Sequence, residues 1–302
     1  MTTSESKSDK LSLLEHRGLL NFRDLGLSSQ DNVAATLDNL NQNEVQQFVN
    51  DHNIRTIVDL RTSQEGFKGA AIDKSFVTTV AEQIKPTQLL PLPTDNNTSV
   101  ATEEPSDVIR KKYRIAFTGK NFERYGIFMS SCTLRQKLLL IIYILFGQRE
   151  RATMLIGREV LSPMGIANLY KKLVTYCQDE VVQTLLIFTK RENYPIHVHC
   201  TQGKDRTGLV SCLLLSIAGA PDEVIIKDYA KTQAGLAPIR KEMLDDLRRV
   251  GLSDEFADAP PQNMRGLLEY IKTTFGSISN YLDSVGFSQE YRERVYNIIA
   301  EH

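Results

Sequence analysis

The sequence predicts an α/β fold in which helices flank a central, mostly parallel sheet. Two apolar runs, at residues 54–60 and 195–199, indicate buried strands, and residues 75–80 predict a third. Segments with apolar residues at helical spacing lie between and after these runs. Strands that alternate with helices are typical of a parallel sheet that is covered by helices.

The predicted helices surround these strands in chain order. A helix with a polar face is expected over residues 43–52, and a helix of mixed charge over residues 109–128. Residues 164–188 have helical spacing and lead into the strand at 195–199. Residues 264–299 predict two or three amphipathic helices that are separated by glycines.

The length and composition of the chain allow one large core, because 302 residues include 41% hydrophobic ones. We expect a disordered polar tail at residues 1–12 and one domain at 13–302, with a helical insert at about 108–162. The net charge of −1 indicates no attraction to nucleic acid. Four cysteines without paired or metal-ligand spacing, and a start without a secretory signal, favour a reducing, cytoplasmic location and predict no metal.

The most apolar stretch of the chain covers residues 138–146. Its nine apolar residues are too few to cross a bilayer, which takes about 20 residues. Basic residues flank the stretch on both sides. One hypothesis is a buried helix of a helical lobe. The other is a lid over the site or a contact with a membrane surface.

Residues 199–208 carry the strongest chemical signal in the chain. Cys200 directly follows a predicted strand, and Arg206 stands six residues later, at the start of an apolar helical run. The N–H groups and the dipole of a helix N-terminus favour an anion, and they lower the pKa of a thiol at that position. Gly203 and Gly208 permit backbone angles that turn N–H groups toward an anion.

The side chains of this loop suit phosphoryl transfer. Cys200 is the candidate nucleophile, and the planar guanidinium of Arg206 can bind two phosphoryl oxygens. The Thr207 hydroxyl can assist the thiolate, and His199 is expected to hold the loop by hydrogen bonding. Lys204, at the rim of the loop, is a candidate substrate contact. The predicted phosphate-binding set is Thr201, Gln202, Gly203, Lys204, Asp205 and Arg206.

Three further motifs accompany the loop, at residues 17–26, at residues 54–61 and at Asp228 with Tyr229. Together with residues 199–208, they resemble the fungal and bacterial tyrosine phosphatase family. Members of that family act on phosphotyrosine, phosphoserine/threonine or phosphoinositides. The resemblance covers nearly the whole chain, and it implies a protein tyrosine phosphatase-like fold.

Two aspartates are candidates for the acid that protonates the leaving oxygen, and the sequence favours Asp59. Asp59 lies near the carboxyl end of a predicted strand, where α/β folds place ligand crevices, and it belongs to one of the motifs that resemble the family. Asp205 lies within the loop, where it can act as the acid or orient the loop. Supporting ion pairs are expected for Arg23, Asp24 and Arg61.

The loop and the resemblance together imply a cysteine-dependent phosphatase that needs no cofactor. The expected substrate is a phosphorylated protein, with phosphotyrosine first, or a phosphoinositide. A peripheral membrane contact is an open alternative for residues 138–146. A phosphate-binding scaffold without turnover is the competing function. The sequence predicts no oligomeric state.

Overall fold

A computed structural model describes residues 42–65, 76–80 and 110–301 of the chain. Its four strands are all parallel and lie in the order β2-β3-β1-β4. Every residue of β1 and β4 is buried, as expected for strands that are covered on both faces. The predicted parallel sheet flanked by helices is therefore confirmed. The strands are β1 Thr56–Asp59, β2 Val77–Val80, β3 Lys111–Arg114 and β4 Ile196–His199.

The helices of the described ranges pack around this sheet and around one another. Two π-helical segments, Phe122–Met129 and Gly157–Leu161, and several short 3-10 turns join them. The α-helices are α1 Gln42–Asp51, α2 Leu134–Leu145, α3 Arg149–Ile156, α4 Ser162–Tyr176, α5 Gln178–Ile187, α6 Asp205–Ile217, α7 Asp222–Leu236, α8 Arg240–Arg249, α9 Pro261–Phe275, α10 Ile278–Ser284 and α11 Gln289–Glu301.

The predicted helix over residues 109–128 is wrong in its first part. Strand β3 occupies Lys111–Arg114 and pairs with both β1 and β2. The charged sequence of β3 is unusual for a buried strand. Lys112 is nevertheless 1% exposed, with its Nζ 3.6 Å from the Asp59 carboxylate. Strand β3 therefore lies within the range of about 108–162 that the sequence analysis gave to a helical insert.

Helix α6 is the central helix of the fold. Nine successive residues from Thr207 to Leu215 are buried, and α6 packs against β4 and against helices α4, α5, α7, α10 and α11. A helix that is buried all round lies inside a protein. The loop between β4 and α6 is therefore held at both ends by elements of the core.

Helix α2 contains the apolar stretch and packs on only one side. A capping box between Thr133 and Gln136 fixes its start. Leu140 is 3% exposed, whereas Leu138 is 54% exposed and Leu145 is 77% exposed. The hypothesis of a buried helix is therefore wrong for the outer side of α2. Among the residues that the structure describes, no helix is long and apolar enough to cross a membrane.

Candidate active site

The candidate site lies where β4 ends and α6 begins. Cys200 follows β4 directly and is only 2% exposed, and α6 starts at Asp205. Gly203 turns the loop with a φ of +63°, a conformation that L side chains rarely adopt. The loop is thus placed between a strand and a helix N-terminus, the arrangement that favours an anion.

The thiol of Cys200 is activated by its neighbours. Burial by itself would raise the pKa of Cys200, but the charge of Arg206 and hydrogen bonding from the Thr207 hydroxyl and N–H outweigh it and lower that pKa. The buried Thr207 hydroxyl has no nitrogen or oxygen partner in the described ranges, which leaves it available to the sulfur. A lowered thiol pKa increases the fraction of thiolate, the form that attacks phosphorus.

Arg206 is held by a residue that the sequence analysis did not single out. Nη1 and Nη2 of Arg206 donate to the two carboxylate oxygens of Glu65, at 2.7 and 2.5 Å. The Thr201 hydroxyl donates to the same carboxylate. Burial would raise the pKa of Glu65, but the hydrogen bond and charge of Arg206 dominate and lower it to about 2. Glu65 is therefore an ionised group that orients Arg206, the candidate phosphate-binding residue.

The sequence gives only a weak indication that Glu65 belongs to the site. It is an acid four residues after Arg61, in the 3-10 turn Ser63–Glu65, and it lies 141 positions from Arg206. Turn residues of this kind are common on protein surfaces and indicate no function by themselves. The pairing with the loop is visible only in the folded chain.

One oxygen of the Asp205 side chain is hydrogen-bonded to a pair of buried tyrosines. The Tyr170 hydroxyl donates to Oδ1 of Asp205 at 2.8 Å, and the Tyr229 hydroxyl lies 2.7 Å from that of Tyr170. Burial and the neighbouring Asp205 raise the pKa of Tyr170 well above its ordinary value, so its phenol stays protonated and donates. The Asp205 side chain keeps 29% of its surface exposed. The Asp205 carboxylate is therefore oriented by the buried Tyr170 and remains partly accessible to solvent.

Asp59 has a different environment, which is unfavourable for a proton donor. It is fully buried, and Nε and Nη2 of Arg61 donate to its two oxygens at 2.8 Å each. Nζ of Lys112 lies at 3.6 Å and Nε2 of His199 at 3.8 Å. Burial would raise the pKa of Asp59, but the Arg61 bond and the surrounding positive charges lower it to about 2. Asp59 is thus an ionised anchor: its carboxylate, in β1, lies between Lys112 of β3 and His199 of β4.

Lys204 does not reach over the rim of the loop in this structure. Its side chain is fully buried, and its Nζ donates to the carbonyl oxygens of Phe256 and Asp258 at 2.8 and 3.1 Å. Nζ also lies 3.3 Å from Oδ1 of Asp205. In this position Lys204 fastens the loop to the segment before α9.

Of the remaining predicted residues, the structure describes His199 and Gln202 but not Arg23 and Asp24. His199 is buried, with Nδ1 3.2 Å from the carbonyl oxygen of Cys200, and burial lowers its pKa. Gln202 is partly exposed on the loop. Arg23 and Asp24 lie outside the described residues. The structure therefore brings Cys200, Thr201, Asp205, Arg206 and Thr207 together, and it places Asp59 with Arg61 in a separate buried cluster.

Comparisons with known proteins show the family of this chain. A family model described as the tyrosine phosphatase family matches residues 14–301. A tyrosine-protein phosphatase of Nostoc commune is 26% identical over 137 residues, 42% of this chain and 47% of the relative. A triple specificity protein phosphatase, PtpB, of Mycobacterium tuberculosis is 26% identical over 120 residues, 35% of this chain and 44% of the relative. The chain thus spans less than half the length of either curated relative.

Proposed function

Because the chain belongs to the tyrosine phosphatase family, we propose that it hydrolyses phosphomonoesters through a cysteinyl-phosphate intermediate. One observation carries the proposal. Cys200 lies at the N-terminus of α6 beside Arg206 and Thr207, and these neighbours lower the pKa of its thiol despite its burial. A buried thiolate next to an anion cradle is suited to attack on a bound phosphate.

The first step forms the bond between the sulfur of Cys200 and phosphorus while the bond from phosphorus to the leaving oxygen breaks. Arg206 and the N–H groups of the loop stabilise the charge on the equatorial oxygens. Asp205 donates a proton to the leaving oxygen. In the second step a water attacks phosphorus and gives its proton to the Asp205 carboxylate. The sulfur–phosphorus bond then breaks, which releases inorganic phosphate and the Cys200 thiolate.

Asp205 is favoured over Asp59 as the acid because of what surrounds each carboxylate. A general acid has to carry a proton and reach the leaving group. Asp59 is ionised, fully buried and bound at both oxygens by Arg61. Asp205 is partly exposed, lies in the loop and is bound at Oδ1 by Tyr170. Its second oxygen is the candidate proton donor.

The proposed substrates are phosphotyrosine first, with phosphoserine/threonine or phosphoinositides as further substrates. The name of the mycobacterial relative supports breadth of this kind. The burial of the Lys204 ammonium and its bonds to carbonyl oxygens remove one argument for a lipid headgroup, because Lys204 is the only lysine or arginine between Cys200 and Arg206. A phosphate-binding scaffold is less favoured, since the thiol is activated as a nucleophile needs to be.

The test is phosphate release with EDTA present, from a phosphotyrosine peptide, a phosphothreonine peptide and a phosphoinositide series. We expect Cys200→Ser to abolish turnover, and Cys132→Ala to retain it as the matched control at a cysteine outside the site. Asp205→Asn should slow substrates with poor leaving groups while it spares those with good ones. Binding of a phosphate analogue without turnover by the wild type would favour the scaffold instead.

A further inference from the structure

The outer side of α2 is an apolar surface that the rest of the described chain leaves open. We define the α2 outer face as Leu134, Leu138, Ile141, Ile142 and Leu145, all of which are at least 45% exposed. Their spacing places them on one stripe of the helix. The inner side of the same helix, at Leu139, Leu140 and Tyr143, packs against the core. Contiguous apolar exposure of this kind marks an interaction surface.

Positive charge borders this face. Residues 134–159 contain five basic and two acidic residues, whereas the whole chain has a net charge of −1. The side chains of Arg135 and Arg158 are about three-quarters exposed, and each lies 3.9 Å from Glu159. Arg149 and Arg151, at the start of α3, are exposed as well. Arg135 is the second residue of α2 and Arg149 follows its last residue by four positions, so exposed basic residues stand at both ends of α2 along the chain.

We propose that the α2 outer face docks on a membrane surface that contains anionic lipids. An apolar stripe with basic flanks is suited to lie in the interface, with its apolar side chains among the acyl chains and its arginines among the headgroups. Helix α2 has 12 residues, which is about 18 Å of helix, so it lies on a bilayer and does not cross it.

A second copy of the chain fits this face less well than a lipid surface does. Two identical faces brought together would place their bordering arginines near one another, and juxtaposed like charges are unfavourable. Anionic headgroups neutralise the same arginines. The proposal does not rest on the proposed function, because none of the residues of the α2 outer face belongs to the loop or contacts it in the described structure.

The experiment is co-sedimentation of the full chain with vesicles of phosphatidylcholine, with and without phosphatidylserine. We expect the wild type to sediment with the anionic vesicles and to be released by high salt. The double variant Leu138→Glu with Leu145→Glu should lose this binding. Tyr296→Glu, at an exposed aromatic residue of α11, is the matched control and should retain it. Both sites are exposed, so the fold is expected to survive.

Two further variants test how much the basic residues contribute to vesicle binding. Arg135→Gln and Arg149→Gln should each weaken binding to anionic vesicles about fivefold, the effect of removing one basic residue near a charged surface. Equal sedimentation with neutral and anionic vesicles, or none with either, would overturn the proposal. So would a dimer in sedimentation velocity that Leu138→Glu with Leu145→Glu dissociates, because a second copy would then cover the face.

Phosphate release from a soluble phosphotyrosine peptide is measured on the same preparations. The docking variants should retain it, because they leave the loop untouched. Loss of docking in the variants with retained turnover supports the membrane proposal and does not bear on the proposed function. Docking without turnover in the wild type contradicts the proposed function and leaves the membrane proposal intact.

Discussion

The hydroxyl of Tyr170 donates to Oδ1 of Asp205 over 2.8 Å, which ties helix α4 to the first residue of α6. Tyr170 is 1% exposed, so this bond is shielded from water. Since its single proton goes to Asp205, the neighbouring Tyr229 hydroxyl donates to Tyr170 in turn. Two tyrosines from different helices thus orient the candidate acid of the loop.

We expect Tyr170→Phe to slow the reaction of substrates with poor leaving groups. The Tyr170 hydroxyl holds Oδ1 of Asp205, so without this hydrogen bond the carboxyl spends less time aimed at the leaving oxygen. The kcat for substrates with poor leaving groups should fall about tenfold, whereas substrates with good leaving groups should be spared. Steady-state kinetics on substrates of different leaving-group basicity provide the measurement.

The control for this variant is Tyr281→Phe. Tyr281 is equally buried and donates to the carbonyl oxygen of Val174 at 3.1 Å, away from the loop. It should lose about 1 kcal/mol of stability with no change in kcat on substrates with poor leaving groups. If Tyr170→Phe does the same and nothing more, Tyr170 has a structural role only.

Glu65→Gln tests the carboxylate that holds Arg206. The amide keeps the size of the side chain but removes the charge and one of the two acceptor oxygens, so the guanidinium keeps at most one of its two hydrogen bonds to this side chain. We expect kcat/KM to fall about tenfold, because Arg206 then spends less time in the orientation that binds phosphate. Steady-state kinetics and titration with a phosphate analogue provide the measurement.

Glu223→Gln is the matched control, since it breaks a two-point contact with Arg265 on the surface. It should leave kcat/KM unchanged. Tighter binding of the phosphate analogue by Glu65→Gln would contradict the positioning role. It would indicate that the Glu65 carboxylate competes with the substrate for Arg206.

Asp59→Asn should destabilise the fold by about 3 kcal/mol at neutral pH, because it breaks a buried ion pair with Arg61. Folding lowers the pKa of Asp59 from 3.8 to about 2. Its contribution is therefore complete above pH of about 4 and is lost as the pH falls through 2. Urea unfolding at pH 7 and pH 3 should show a smaller difference between variant and wild type at the lower pH.

The same variant also tests the assignment of the acid. Activity of the folded Asp59→Asn protein on substrates with poor leaving groups should remain, in contrast to that of Asp205→Asn. An Asp59→Asn protein of unchanged stability that no longer turns over those substrates would return the role of acid to Asp59.

Glu180→Gln is expected to stabilise the protein at high pH. Burial, with a smaller contribution from Asp179, raises the pKa of Glu180 from 4.5 to about 7, and its Oε2 is buried without a hydrogen-bond partner in the described ranges. The neutral acid favours the fold below pH of about 4.5, and this contribution is lost as the pH rises through 7. The variant should gain about 1 kcal/mol at pH 8, allowing for solvent screening.

Urea unfolding of the Glu180→Gln protein and the wild type at pH 5 and pH 8 provides the measurement. The difference between the two proteins should grow with pH. A difference that is independent of pH would mean that the Glu180 carboxylate is well solvated when ionised.

The sequence predicts well what is encoded locally. Cys200, Arg206 and Thr207 stand in one ten-residue segment, so a strand, a turn and a helix start bring them together without help from distant residues. The spacing of apolar residues likewise identifies β1 and β4, because burial on both faces of a parallel sheet selects continuous apolar runs. The family resemblance rests on these same local motifs.

The sequence misleads where burial depends on a partner from elsewhere in the chain. Strand β3 looks like part of a charged helix, although Lys112 is buried with its Nζ 3.6 Å from the Asp59 carboxylate. Helix α2 looks like core on composition alone, although Leu134, Leu138 and Leu145 are more than half exposed. In both cases the groups that pack against a side chain decide whether it is buried. The periodicity of the sequence does not reveal those groups.

The amino-acid sequence by itself determined the class of fold and pointed to Cys200 and Arg206 as the candidate nucleophile and the candidate phosphate-binding arginine, since each depends on neighbours along the chain. Only the tertiary structure decided that Glu65 holds Arg206, that Tyr170 orients Asp205 and that Asp59 is an ionised anchor. These assignments depend on contacts between residues that are two to 141 positions apart, and on the burial that gives such contacts their strength. Charge and hydrogen bonding act through space, so the folded arrangement sets the role of each carboxylate.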